Sequence, residues 1–205
     1  PQVAACVSQV GIAFAFARMF HPAMRHAATV RAELGIPTVF NMLGPIAHPA
    51  RLKRAVIGVS DPSRLELLAD VMRRRGVDRV WLVHGQDGLD ELSTSAPSQI
   101  VDVSADRVER RTLHASEVGI TEVSGDEIGG GDPVDNARII TEVLAGKPGP
   151  DADLILLNAA AGLVVSGLHD DLGEALEAAR TSIASGAAER TLTDLRKVTA
   201  ELVAP

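Results

Sequence analysis

The chain has 205 residues, of which 46% are hydrophobic and 23% charged, with a formal net charge of −7, a balance that supports a packed core and excludes a disordered chain. Aromatic residues make up 2%, namely Phe14, Phe16, Phe20, Phe40 and Trp81, and Cys6 is the single cysteine; a disulfide framework and a multi-cysteine metal site are thereby excluded, and the scarcity of aromatics weighs against a base-stacking surface. No run reaches the ~18–20 apolar residues of a membrane span, so the expectation is a cytoplasmic domain with no nucleic-acid and no membrane partner.

The chain starts at Pro1, inside a helix read over Val3 to Val10 with no cap before it, which implies sequence upstream. Phe20 to Leu34 has helical apolar spacing, with His21-Pro22 at its start, where a proline is tolerated. Gly35-Ile36-Pro37 ends it, glycine supplying a left-handed C′ residue. A short extended piece, Thr38 to Phe40, leads into Asn41-Met42-Leu43-Gly44-Pro45, whose Gly-Pro reads as a tight turn.

From there the pattern is of α/β units. Ala55 to Ser60 is an apolar run of buried-strand type, Asp61-Pro62-Ser63 caps a helix to about Arg75, Gly76 ends it, and Val80 to His84 is the next buried strand. Strand, helix and strand at this spacing imply a parallel crossover. Ser98 to Val103 and Arg107 to Leu113 read as β segments, antiparallel at one edge. Gly129-Gly130-Gly131-Asp132 reads as a hinge before a helix from about Val134 to Ala145, Gly146 to Pro150 as a loop, and Ala152 to Leu168 and Leu172 to Leu202 as helices broken near Gly186. Charge is uneven along this order: residues 1–80 hold 11 Lys/Arg against 5 Asp/Glu, and residues 81–205 hold 9 against 22. The basic part suits small anions.

Two clusters stand out chemically. Between Phe20 and Pro45 lie His21, Arg25, His26, Arg31, Asn41 and Gly44; Arg31 follows His21 by close to three helical turns, near the same face. An arginine in a pocket suits a planar carboxylate through two parallel charge-assisted hydrogen bonds, although a solvated helix position accounts for the spacing as well. The second cluster, His84 to Glu91, directly follows a buried strand, where open α/β sheets hold their ligands. The neighbours Asp90 and Glu91 repel each other unless a cation lies between them, and Mg²⁺ takes one or two protein carboxylates plus substrate phosphates; a hydrated acidic turn is the alternative. Ser93, Thr94 and Ser95 form a polar loop beside the acids. No hydrolase elbow and no metal-ligand histidine pattern is present.

His21-Pro-Ala-Met-Arg-His26, Val30-Arg-Ala-Glu-Leu-Gly35, Thr38-Val-Phe-Asn-Met-Leu-Gly-Pro45, Asp87-Gly-Leu-Asp-Glu91, Gly130-Gly-Asp132 with Asn136, and Leu157-Asn-Ala-Ala160 together resemble, in matching order, the anthranilate phosphoribosyltransferase family. The resemblance implies a mixed, mainly parallel central sheet flanked by helices, of the nucleoside phosphorylase/phosphoribosyltransferase C-terminal domain type. Residues 1–205 then form a single C-terminal catalytic α/β domain, incomplete at its N-terminus.

The activity it implies is transfer of a phosphoribosyl group from 5-phosphoribosyl 1-pyrophosphate to anthranilate in tryptophan biosynthesis, with Mg²⁺ and a homodimer at full length. By position, Asp90 and Glu91 correspond to the magnesium ligands and Arg31 to the residue gripping the anthranilate carboxylate. His21 and Met24 line the acceptor's route, Asn41 and Gly44 its floor, and no residue here is assigned as general acid or base. Two segments depart from the family: Arg18 follows Ala17 where Pro is usual, and Ala47-His48-Pro49 replaces Thr-Asn-Pro. The family's glycine-rich pyrophosphate loop would lie upstream, so the chain alone is expected to be inactive. A pyrimidine-nucleoside phosphorylase of the same architecture and a non-catalytic nucleotide- or nucleic-acid-binding paralogue are the alternatives.

Overall fold

The computed structural model describes residues 2–21, 26, 30, 33–36, 44, 46, 48 and 50–203. Among them the elements run α1 (Gln2–Val10), α2 (Ala17–Phe20), β1 (Arg54–Gly58), α3 (Leu65–Arg74), β2 (Arg79–Gly85), β3 (Ser98–Val103), β4 (Val108–Leu113), α4 (Pro133–Leu144), α5 (Pro150–Ser166), α6 (Leu172–Ala184) and α7 (Ala187–Val203). The chain divides into two compact units, Pro1–Leu52 with Arg190–Pro205, and Lys53–Glu189.

In the first unit α1 buries Cys6, and Gln2 Nε2 donates to Leu202 O at 3.0 Å, tying the start of α1 to the end of α7. Residues 26, 30, 33 and 34 are helical, and Gly35 follows at φ 62°, as its place after the helical spacing predicts. Gly44 and Ile46 are helical where a tight turn was read; a Gly-Pro pair alone does not separate the two, since proline fits a first helical turn as well as a β-turn.

The second unit is built on a four-stranded sheet in the order β1-β2-β3-β4. Asp61 starts the crossover as read, its carboxylate accepting from Ser63 N at 3.0 Å, with a 3₁₀ turn over Pro62–Arg64 before α3. The crossover returns β2 parallel to β1, pairing Arg54 with Arg79 and Gly58 with Val83. The mixed α/β class and the antiparallel edge pair β3–β4 are as predicted, but among the described residues the sheet is not mainly parallel. β2 with β3 and β3 with β4 are antiparallel, because residues 86–97 and 104–107 connect them without a helix, and a chain that turns back directly must pair antiparallel.

Alternation along β2 splits its side chains between two faces. Trp81 and Val83 join Ile100, Leu157, Ala160, Ala161, Val164, Ala175 and Leu176 in one core between the sheet and helices α5 and α6. The other face is covered by α3 through Leu65, Leu68, Ala69 and Met72. On that side Arg110, in register with Val101 and so with Leu82, reaches Glu66 of α3 at 2.6 and 2.5 Å. The core is thus aliphatic around one tryptophan, and small alanines let α5 approach the sheet closely. Asp132 caps α4 by accepting from Val134 N at 2.8 Å and Asp135 N at 3.0 Å. Asn136 ties the preceding glycine run, read as a hinge, by accepting from Gly131 N at 2.9 Å and donating to Gly131 O at 3.1 Å.

Candidate functional site

β2 ends at Gly85 and the chain reverses at once: Gly88 N donates to Gly85 O at 2.9 Å and Gly85 N to Leu89 O at 2.8 Å. Gly88 sits at φ 97°, a left-handed conformation that a side chain would strain. Asp87 folds back onto this loop. Its carboxylate accepts from Ser93 Oγ at 2.5 Å, from Leu89 N at 3.3 Å and, in a short bond, from Ser95 Oγ. Ser93 Oγ also accepts from Ser95 N at 2.9 Å and Ala96 N at 3.2 Å, while Ser98 Oγ accepts from Ser93 N at 2.8 Å. Burial pushes the Asp87 carboxyl up, yet the hydroxyls of Ser93 and Ser95 and the Leu89 amide outweigh it and hold the group below the usual carboxylate range. Asp87 therefore fastens the loop, and the two serine hydroxyls are committed to it.

Asp90 and Glu91 occupy the outer part of the loop, Asp90 exposed and Glu91 half-buried. Burial first, then the negative charges of Asp90 and Asp87, push the Glu91 carboxyl above its ordinary value; like charges gathered in a partly desolvated place raise one another's pKa. A cation would relieve that cost. Among the described residues no three His, Cys, Asp or Glu side chains are grouped to hold a metal. Two neighbouring carboxylates are the number of protein ligands that Mg²⁺ commonly takes beside phosphate and water.

The acids are held by their surroundings. Leu92, which follows them, is fully buried. Its N–H donates to Asn158 Oδ1 of α5 at 2.9 Å and its carbonyl accepts from Asn158 Nδ2 at 2.9 Å. At the end of β1, a Cβ on Gly58 would lie 2.7 Å from the carbonyl carbon of Asp90 and 3.1 Å from its Cβ, so only glycine lets the strand and the loop meet. The buried His84 places Nδ1 2.8 Å from Val59 O, joining the ends of β2 and β1 beneath the loop.

Of the residues singled out from sequence, the structure brings Asp90 and Glu91 together in this loop. His21 lies just after α2, partly buried, and Gly44 is in helical backbone with open space where a Cβ would point. Both belong to the first unit, Asp90 and Glu91 to the second. Met24, Arg31 and Asn41 lie outside the described residues. Sequence reasoning missed Asn158 and Gly58 as supports of the loop. A signal existed for each: Asn158 is a polar intrusion among Leu154, Ile155, Leu156, Leu157 and Ala159, which demands partners, and Gly58 interrupts an apolar strand, a mark of close backbone approach.

Residues 1–189 match the family described as glycosyl transferase family, a/b domain. The anthranilate phosphoribosyltransferase of Thermomicrobium roseum is 47% identical over 189 residues, covering 91% of this chain and 54% of that protein. The crystal structure of anthranilate phosphoribosyltransferase from Thermus thermophilus superposes with a TM-score of 0.88 at 38% identity, covering 99% of this chain and 59% of the other. The Saccharomyces cerevisiae enzyme in complex with PRPP and Mg superposes with a TM-score of 0.80 at 30% identity, over 88% of this chain and 52% of the other. Its complex with 4-fluoroanthranilate gives 0.84 at 30% identity, over 92% and 55%. The chain thus spans a little over half the length of the relatives it matches. By the match over residues 1–189 the chain belongs to the glycosyl transferase family, of which it carries the a/b domain, and its relatives there are anthranilate phosphoribosyltransferases.

Proposed function

We propose that this chain contributes the acceptor-binding residues and the metal-binding acids of a protein that transfers the phosphoribosyl group of 5-phosphoribosyl 1-pyrophosphate to the amine of anthranilate. The observation that carries the reading is the pair Asp90 and Glu91, presented beyond the carboxyl end of β2 on a fastened loop, with Glu91 pushed up by burial and by its acidic neighbours. The named complexes of the yeast relative with PRPP and Mg and with 4-fluoroanthranilate support the two substrates and the ion.

Asp90 and Glu91 would hold Mg²⁺, which when bound would supply Lewis-acid stabilisation of the negative charge on a pyrophosphate leaving group. The chain's own residues bind and orient. Arg31 pairs its guanidinium with the anthranilate carboxylate, His21 and Met24 flank the aromatic ring, and Asn41 with Gly44 forms the adjoining floor. As the C1–pyrophosphate bond breaks, the ribose carbon becomes electron-poor enough to accept a weakly basic aromatic amine, so positioning contributes more than deprotonation, and no general base is required of this chain. We infer that the whole protein is a cytoplasmic homodimer with small-molecule partners only; the net charge of −7 and the 2% aromatic content of this chain weigh against a nucleic-acid partner.

The test is turnover of the whole protein, followed by the loss of anthranilate fluorescence. Asp90→Asn and Glu91→Gln abolish the magnesium-dependent rate; an unchanged rate in either variant removes that residue from the site. Arg31→Ala raises the anthranilate KM, by about 2–3 kcal/mol in kcat/KM for a lost charge-assisted hydrogen bond, and leaves the KM for the pyrophosphate substrate in place.

A further inference from the structure

Both peptide groups flanking Glu91 are gripped by the rest of the unit. The group between Asp90 and Glu91 rests against Gly58 of β1, where a Cβ would stand 2.7 Å from the Asp90 carbonyl carbon. The group between Glu91 and Leu92 gives its N–H to Asn158 Oδ1 at 2.9 Å, and the next carbonyl, that of Leu92, accepts from Asn158 Nδ2 at 2.9 Å. The same Nδ2 donates to Leu154 O at 3.0 Å, within α5. One N–H and two carbonyls face the amide, so a single orientation satisfies all three, with the oxygen toward Leu92 N.

Peptide groups are planar, so holding the plane on either side of a residue fixes its φ and ψ, and with them the direction in which its side chain leaves the backbone. Glu91 is held in this way, while its neighbour Leu92 is anchored at 0% exposure in the core. The network of Asp87, Ser93 and Ser95 shapes the loop on both sides but touches neither peptide group of Glu91. Asn158 is also half-buried in an apolar stretch of helix, where an amide is costly unless every polar atom is paired. A helix that needed only to pack against the sheet would do better with leucine at that place.

We propose that Asn158, seconded by Gly58, is the positioning residue for Glu91: it acts through the Leu92 backbone to aim a metal-binding carboxylate. The proposal rests on Asp90 and Glu91 being metal ligands. Residues that orient a metal ligand typically alter metal affinity by about 10–100-fold when removed, and that range sets the expected effect.

The test uses the whole protein with Asn158→Ala, Gly58→Ala and Glu91→Gln. Three readouts are taken: Mn²⁺ binding by electron paramagnetic resonance in the presence of PRPP, hydrogen exchange of the Leu92 amide, and the anthranilate KM. Asn158→Ala is expected to weaken Mn²⁺ binding by about tenfold or more and to speed Leu92 exchange, while the anthranilate KM stays near its original value. Gly58→Ala is expected to weaken Mn²⁺ binding similarly by displacing the other peptide group. Mn²⁺ affinity lost in Glu91→Gln but retained in Asn158→Ala, with Leu92 exchange accelerated, overturns the positioning role alone. Affinity retained in all three variants overturns the metal reading and this proposal with it. Should Asn158→Ala not fold, Asn158→Ser and Gly58→Ala decide by the same readouts.

Discussion

Three carboxylates within five positions of one loop behave differently because of what surrounds each. Asp87 is met by two hydroxyls and an amide and stays ionised. Glu91 has burial and like charges on it and is pushed toward the neutral form. The Asp87 shift has a consequence for stability. Its folded pKa lies below the ordinary 3.8, so its contribution is fully present above that value and is lost as the pH falls through the lower folded pKa. Asp87→Asn should therefore destabilise the protein at pH 7, and the gap to the parent should shrink as the medium is acidified below the 3.8 reference. Urea unfolding at neutral and at acid pH measures this; an equal gap at both would mean that the carboxylate charge does not fasten the loop. The positions of the acids were legible in the sequence. Their division of labour was not, because it depends on Ser93 and Ser95 turning their hydroxyls to Asp87, which spacing does not specify.

Strands and helices were the most legible scale, for local reasons. Asp61 announces the crossover because its side chain satisfies an amide two residues on, and Ser98–Val103 stands where it was expected because its β-branched Ile100, Val101 and Val103 suit a strand buried on both faces. The sheet's direction was legible in part: the antiparallel pair β3–β4 stands at the edge as expected from sequence, whereas the antiparallel pairing of β2 with β3 was not read, because a strand shows its period but not its partner. The cap of α4 offers a test at this level. Asp132 satisfies two orphan amides at 2.8 and 3.0 Å, so Asp132→Ala should cost about 1 kcal/mol, seen as a lower midpoint in chemical unfolding. No change would show that solvent serves those amides equally well.

For the molecule as a whole, two single-copy side chains each report one of the two compact units. Trp81, 2% exposed, belongs to the unit of residues 53–189, and Cys6, 4% exposed, to the other. Leu157 lies fully buried in the core that contains Trp81. Leu157→Ala should lower the stability read from tryptophan emission by about 2–5 kcal/mol, the range for a leucine cavity that relaxes only in part; a smaller loss would mean that α5 collapses onto the sheet. Alkylation of Cys6 follows the other unit in the same samples. By itself the sequence determined the elements, the aliphatic core and the acidic pair beyond β2, since these depend on periodicity, capping and residue type, which act over a few neighbouring positions. Only the tertiary structure decided what holds that pair. Leu92 and Asn158 stand 66 positions apart in the chain, and a contact at that separation depends on how α5 packs against the sheet, which no local pattern encodes.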